Sequence, residues 1–481
     1  MESNVLAGAN RVVVIGGGFS GAAFALQAVQ EADVPMGVTI LEPRGDLGAG
    51  LAHSTEDSDH RLNALAIFHY VLPEGRDRFQ DCFVAAGGVV TDPDAEASGG
   101  RLFPRRRDLA AHVRKVLQPH LAPSDHGPDI SHRRDRAIGL REHSDRIEVV
   151  LESGETIDAP AVVLATGNRP APPPPPFRGT VQDHPALIAT PWIPTRLQAI
   201  PRDGRVLILG TALTTADIIA TLVRQAHRGR IDAVSRRGLR PKGARLPAGG
   251  PPPNIWNRIF APAPDFLAPI GRDTKISDLL QLVRRRCREV ESSGGTWHQP
   301  FDLLRDAVWQ IWPSISAEEK RRFMRHLRPW YDTHRFRIAP PIERIVMAAE
   351  ARGAVVFHAA RTVSVAAEGA RLAVGLLDRG ANLVRTETYD AVINCTGTVA
   401  GPGDDPLSVA LEAGGMTRPH PSGLGWDVDD DCRAVRGDGS PHRRVFVVGP
   451  PTAGVFGDPF GVPWITAQIS RMIPGVRSLF I

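Results

Sequence analysis

Apolar and polar residues fall in blocks near the start of the chain, and the blocks predict a βαβ unit. "RVVVI" (Arg11–Ile15) is a short apolar run, "GGGFSG" a glycine turn, "AAFALQAVQEA" a helix and "VTIL" a second strand ending at Glu42. The same order returns from Arg205: strand "VLIL", turn "GTALTTAD", helix "ADIIATLVRQA" and strand "IDAV". Between the two lie an irregular stretch from Pro43 to about Pro104, a helix over Arg107–Leu117 and a β segment ending "VVLATG" at Gly167. A Pro/Gly-rich loop follows the second unit from Lys242 to Pro264, and helical text then runs to about Arg352. Within it Ser316 and Glu319 form a capping box, and Phe323, Leu327 and Trp330 fall on one helical face. The chain closes with the strands "AVVFH", "TVSVAA", "LAVGLL", "DAVIN" and "RVFVVG" and the helix "VPWITAQISRMI".

This order predicts an α/β fold with two Rossmann-like dinucleotide-binding domains, the first interrupted by the second, and a helical insertion. Five consecutive prolines, Pro172–Pro176, form a stiff polyproline spacer at a domain boundary. The expected limits are 1–170 for the first part of an FAD domain and 171–200 for the linker. An NADPH domain with the insertion then covers 201–338, and the second part of the FAD domain covers 339–481.

Composition narrows the partners. The 481 residues suffice for two or three cores, and no apolar run is as long as a bilayer span. The polar start "MESNVLAGANR" does not read as a signal peptide, so the expected location is the cytoplasm, away from membranes. Net charge is +4, but only four of the 57 basic residues are lysines, as a bacterial genome rich in G and C produces. No basic stripe with interleaved aromatics appears, so nucleic acid is not an expected partner. The four cysteines are scattered without a C-x-x-C pair, which excludes both a dithiol redox centre and a zinc site; no metal is expected.

The chemistry sits in the turns. Gly16 permits a tight turn, Gly18 lets backbone N–H groups approach a pyrophosphate, and Gly21 lets helix and strand pack closely. Ser20 and the helix N-terminus face the phosphates. Glu42, followed by Arg44, stands where a carboxylate accepts a ribose hydroxyl. Thr166 and Gly167 of "VVLATG", echoed by "VINCTG" (Val392–Gly397), and Gly449 after "RVFVVG" favour FAD as the occupant. The last helix starts near Pro463, where its dipole would stabilise an anionic reduced flavin.

The second turn keeps Gly210 but has Ala212 and Thr215 at the later glycine positions. Ser235 stands as far beyond Gly210, within one residue, as Glu42 stands beyond Gly16. With Arg236 and Arg237 it suits the 2′-phosphate of NADPH, which a carboxylate would repel. The hydroxyls of Thr211, Thr214 and Thr215 offer further donors to phosphate.

The stretches "GAGLAHSTEDSDHRLNALA", "LFPRRRDL", "ILGTALTTAD", "SRRGLRP", "RFMRHLRPWYDTHRFRIAP" and "GVPWITAQISR" together resemble the bacterial FAD/NAD(P)-binding proteins of the YdhS-like group. That group includes flavin N-monooxygenases that oxidise the amino group of aspartate. The resemblance implies FAD on Gly16, Gly18, Gly21 and Glu42, with Asn63 close to the flavin and Arg105 of "FPRR" in the site. His53 stands where the group usually has tyrosine, and the stretch from Lys242 to Phe266 follows no pattern of the group.

The expected activity is an NADPH-dependent FAD monooxygenase. It would form a C4a-hydroperoxide and pass one oxygen of O2 to a heteroatom, an amine nitrogen, of a small polar metabolite of secondary metabolism. The F-x-G-x-x-x-H fingerprint of ketone-oxygenating relatives is missed: Phe177 and Gly179 fit, but Asp183 takes the histidine position and His184 is one late. His53, His184 and His334 are candidate pocket residues, and Arg325, Arg328, Arg335 and Arg337 candidates for an anion. The competing readings are an FAD oxidoreductase or oxidase that inserts no oxygen, and a non-catalytic flavin or nucleotide sensor. Oligomeric state is open.

Overall fold

The two apolar runs that precede the glycine turns become central strands of two separate sheets. The computed structural model describes residues 11–30, 36–121, 129–244 and 255–480. The chain's first ten residues and residues 245–254 of the Pro/Gly-rich loop therefore lie outside the described residues.

In chain order the elements that matter here are β1 (Arg11–Ile15), α1 (Phe19–Gln30), β2 (Gly37–Leu41), α2 (Arg106–Leu117), β3 (Ile130–Arg133), β4 (Val162–Leu164) and β5 (Asn168–Pro170). Then come β6 (Leu187–Ile188), β7 (Val206–Leu209), α3 (Leu213–Arg224), β8 (Ile231–Ser235), α4 (Ala317–His326), α5 (Arg328–Arg335) and α6 (Pro340–Ala351). The remainder are β9 (Val355–Glu368), β10 (Arg371–Asp378), β11 (Val384–Tyr389), β12 (Ala391–Asn394), β13 (Thr398–Ala400), β14 (Arg433–Val435), β15 (Pro441–Val447) and α7 (Val462–Arg477).

The first sheet has the order β14-β15-β4-β1-β2-β3 and is parallel except for β14. Its central strands are covered on both faces, which is why Val12, Val13, Val14 and Val162–Leu164 read as unbroken apolar runs. α1 is buried from Phe19 to Val29, between the sheet, α2 and α7. A helix enclosed on all sides has no use for a polar face, and "FSGAAFALQAV" has almost none.

The second sheet has the order β6-β12-β7-β8-β9-β10-β11. β6 to β9 run parallel with β12 between them, and β9, β10 and β11 form an antiparallel meander at one edge. This pairing moves an expected limit. "DAVIN", assigned to the returning first domain with everything after 339, is β12 and pairs with β7 and β6. The strands from 355 to 394 thus belong to the second sheet, and the chain rejoins the first only at β14. The text "VINCTG" copies "VVLATG" because each flanks the central strand of its own sheet.

β5 and β13 pair antiparallel where the chain leaves the first sheet and where it returns. The proline run follows β5 and ends in Phe177, which is fully buried in the core of the second sheet. The helix expected across Phe323–Trp330 is broken. α4 stops at His326, Pro329 opens α5, and Trp330 is left half exposed while Phe323 and Leu327 pack inward. Proline has no N–H to continue the helix, so a periodicity that counts through it fails.

Candidate functional site

The two glycine turns are built alike to the level of single hydrogen bonds. In the first, the Gly16 N–H donates to Leu41 O (2.9 Å) and the Ala165 N–H to Ile15 O (2.9 Å). In the second, the Gly210 N–H donates to Val234 O (2.7 Å) and the Cys395 N–H to Leu209 O (2.8 Å). Gly16 has φ +107° and a Cβ there would lie 2.5 Å from Ala165 O; Gly210 has φ +118° and a Cβ would lie 2.2 Å from Cys395 O. Each glycine is required twice, by its dihedral and by the neighbouring strand end.

The correspondence makes Ser235 the structural counterpart of Glu42, each following the strand-end residue that accepts the glycine N–H. Glu42 is buried; its Oε2 accepts from the Gly17 N–H (3.0 Å), and Arg44 grips both oxygens at 2.9 and 3.1 Å. Burial alone would raise its pKa, but the bonds from Arg44 and Gly17 outweigh that and hold the carboxylate below its usual range. Ser235 Oγ instead accepts from the Gly238 N–H (3.0 Å) and shares a hydrogen bond with Thr211 Oγ1 (2.9 Å), whose own hydrogen goes to Leu239 O. Arg236 and Arg237 follow it, and neither side chain has a partner among the described residues.

The later glycine positions differ as their side chains require. A Cβ on Gly21 would lie 2.0 Å from Gly16 O, so α1 sits tight against its strand. Thr215 at the equivalent place is buried, its hydroxyl without a hydrogen-bond acceptor. Thr211 is occupied by Ser235 and by Leu239 O at 2.5 Å. Neither threonine hydroxyl therefore faces open space as expected. Thr214 lines the large cavity of the molecule.

That cavity, about 590 Å³, runs along the first turn and under the N-terminus of α7. Gly16, Gly18, Ser20, Glu42, Arg44, Thr166 and Gly167 line one part of it. His53, Asn63, His69, Arg106, Trp192 and Arg335 line another, with Phe460 and Val462–Ile465 closing the end. Gly449 (φ +79°) packs on Ser20 Oγ and donates its N–H to Gln468 Oε1 at 2.8 Å, which ties β15 to α7. The absence of a Cβ at Gly16 and Gly18, the carboxylate at Glu42 and the helix end at Gly461–Val462 fit a dinucleotide laid across the turn. The Trp464 Nε1 and His53 Nδ1 atoms are buried there without partners, which suits an occupant that hydrogen-bonds them.

Arg105 is not in this cavity. Its side chain bonds Asp92 Oδ1 (3.2 Å), while Asp92 is held bidentate by the buried Arg61 at 2.8 Å. The next residue, at the start of α2, turns the other way. Arg106 lines the cavity, bonds Asp217 of α3 at 2.5 Å and lies 5.7 Å over the Trp192 ring. One residue of helix phase separates the two, and a motif match cannot resolve it. Of the other candidates, Arg335 lines the cavity and pairs with Asp458, whereas Arg328 pairs with Asp332 and Arg337 with Asp302. His184 bonds Gly369 O (3.1 Å) in the second sheet, and His334 stacks on Phe301 at 4.8 Å. Trp192, His69 and Phe460 were not legible, since each lies in irregular chain without periodicity. Among the described residues no group of His, Cys, Asp or Glu is placed to hold a metal ion.

The segment from 53 to 69 carries three neutral histidines. Burial pushes His53 down to about 3, with His69 and Arg106 adding to the effect, and burial pushes His69 down to about 4 against its bond to Leu65 O. His60 is lowered too, by burial and Arg106, against the pull of Asp57. A folded pKa below the unfolded value gives stability that is complete above about pH 6.5 and is lost as pH falls toward the folded values. Each ring costs about 1.4 kcal/mol per pH unit in that window. The unfolding free energy from urea titration is therefore expected to fall by several kcal/mol between about pH 8 and about pH 5, moving the midpoint down, and less steeply in His53→Asn/His69→Asn. A midpoint that does not move over that range would show that the rings titrate normally.

No curated protein matches the chain in sequence. Residues 13–169 match a family described as FAD-NAD(P)-binding. Among solved structures, the chain resembles the ornithine N-hydroxylase of Kutzneria sp. 744 with reduced FAD, NADP+ and L-ornithine. The TM-score is 0.65 at 15% identity, over 97% of this chain and 98% of that one. The L-lysine 6-monooxygenase of Pseudomonas syringae gives 0.64 at 17% identity, over 97% and 99%. The thioredoxin reductase of Lactococcus lactis gives 0.53 at 11% identity, over 98% and 99%. No helix among the described residues is long and apolar enough to cross a membrane. Residues 13–169 thus match the FAD-NAD(P)-binding family, within a chain that has the fold of the ornithine N-hydroxylase, lysine 6-monooxygenase and thioredoxin reductase structures.

Proposed function

We propose that the chain is an NADPH-dependent FAD monooxygenase of the cytoplasm that hydroxylates an amine nitrogen of a small polar metabolite, without nucleic acid or membrane partners. The observation that carries this reading is the pair of like-built turns with unlike ends: Glu42 behind one, Ser235 with two unpartnered arginines behind the other. A buried carboxylate accepts a ribose hydroxyl, and arginines take a 2′-phosphate. The reaction is NADPH + H⁺ + O2 + R–NH2 → NADP⁺ + R–NHOH + H2O, with one oxygen atom to nitrogen and the other to water.

FAD, when bound, supplies the acceptor for the nicotinamide hydride and the activation of oxygen. The chain's own residues do the rest. The N-terminus of α1 would face the pyrophosphate, Glu42 would hold the ribose, and Thr166 and Gly167 would line the path beyond. The N-terminus of α7, which lines the cavity, would offer partial positive charge to the electron-rich end of the ring system. Asn63, Arg106 and His53 line the remaining wall. A ring held neutral at His53 does not repel an incoming ammonium group. The resemblance in fold to ornithine and lysine hydroxylases supports amine nitrogen as the acceptor. The scattered cysteines, two of them buried, speak against dithiol chemistry of the thioredoxin reductase kind.

The purified protein is expected to be yellow, to be reduced faster by NADPH than by NADH in anaerobic rapid mixing, and to give a hydroxylamine product with one member of an amine and amino-acid panel. NADPH oxidation that yields only hydrogen peroxide with every amine would favour an oxidase. A yellow protein that NADPH does not reduce would favour a sensor.

A further inference from the structure

Next to the large cavity lies a second, narrow one of about 60 Å³ between the helical segment and the approach to α7. Ile276, Leu304, Val308, Ile311, Trp312 and Phe323 make up much of its wall. Phe336 and Phe460 line both cavities and meet edge-on, their rings 6.3 Å apart at 73°. Of the polar side chains at its margin, Arg328 pairs with Asp332, and Asp458 Oδ2 takes Arg335 and, at 3.5 Å, the Tyr331 hydroxyl, which leaves Asp458 Oδ1 as a buried acceptor without a partner.

The space is large enough for water, but water needs two to four polar partners and this wall offers little beyond the unengaged Asp458 Oδ1. A small apolar molecule has no such need. The proposed reaction consumes one, dioxygen, at the cavity on the other side of the Phe336–Phe460 pair. We propose that this pocket holds dioxygen and delivers it past Phe336 and Phe460 to the large cavity. The inference rests on the monooxygenase reading for the consumption of oxygen, but not for the character of the pocket.

Xenon, apolar and electron-rich, reports such sites directly. In crystals of the purified protein under xenon pressure, an atom is expected between Ile311, Trp312 and Phe323. Val308→Phe fills the pocket and is expected to slow the reoxidation of photoreduced protein by O2 about tenfold. Its flavin content and anaerobic reduction by NADPH should stay unchanged, which also shows that the variant has folded. Ordered water on Asp458 in place of xenon, or wild-type reoxidation in a folded Val308→Phe, overturns the proposal. Reoxidation that is slowed in Val308→Phe, together with a wild type that yields peroxide alone with every amine of the panel present, would overturn the monooxygenase reading and leave the oxygen pocket standing.

Discussion

Gly210→Val is expected to leave the protein yellow and to abolish its reduction by NADPH, whereas Gly16→Val is expected to give a colourless protein. Both substitutions meet the same obstacle. At Gly210 the new Cβ would lie 2.2 Å from Cys395 O and 2.8 Å from its carbonyl carbon; at Gly16 the distances to the same atoms of Ala165 are 2.5 and 2.9 Å. Those neighbours are backbone, held by the sheet, so the turn and not the neighbour must move. A β-branched residue at positive φ adds strain of about 1–3 kcal/mol before the clash is counted. Together these displace the N–H groups that would face a pyrophosphate, and a loss of ~100-fold or more in affinity follows. The two sites sit on different sheets, so the losses separate: flavin absorbance reads the first, anaerobic reduction by NADPH the second. If Gly210→Val were reduced by NADPH at the wild-type rate, the second turn would not be a nicotinamide site. If Gly16→Val retained flavin, the assignment of the first turn would fail.

The features that local chemistry dictates were legible from the residues. A glycine that must take positive φ and let a strand end approach leaves a fixed spacing, and both turns carried it. The apolar strands flanking them are buried on both faces and so are unbroken in sequence. What depends on pairing was not legible. "VINCTG" and "VVLATG" are alike because Cys395 and Ala165 do the same job, and nothing local tells which sheet each joins. Side-chain direction was equally hidden. Arg105 and Arg106 are adjacent arginines, one tied to Asp92 and the other to Asp217, and the difference is the phase of one helix start. Thr211, Thr214 and Thr215 looked interchangeable as phosphate donors. The fold occupies one with Ser235, buries another and leaves the middle one at the cavity. Trp192 and Phe460 come from irregular chain, where no period announces burial.

The equivalence of Ser235 with Glu42 yields the sharpest test of which nicotinamide is used. In the first site a carboxylate is gripped by Arg44 and by the Gly17 N–H. In the second the same place is neutral, and the charge available is that of Arg236 and Arg237, exposed and half-buried, with no carboxylate committed to either. A hydrogen bond to a charged group contributes about 1.5–3 kcal/mol, so two arginines on a 2′-phosphate amount to a preference of ~100-fold or more. Exposure to salt brings the figure toward the lower end. Arg236→Ser/Arg237→Ser is therefore expected to lower kcat/KM for NADPH ~100-fold and to leave that for NADH within a few fold. Adding Ser235→Asp is expected to reverse the preference, since the new carboxylate would stand where Glu42 stands and repel the phosphate while accepting a ribose hydroxyl. Anaerobic reduction rates with the two nucleotides measure both effects, and raising the salt concentration should weaken NADPH selectively in the wild type. Equal rates of reduction by NADH and NADPH in the wild type, insensitive to salt, would mean that the arginines are a solvated turn and that the phosphate of the coenzyme is bound elsewhere or not at all.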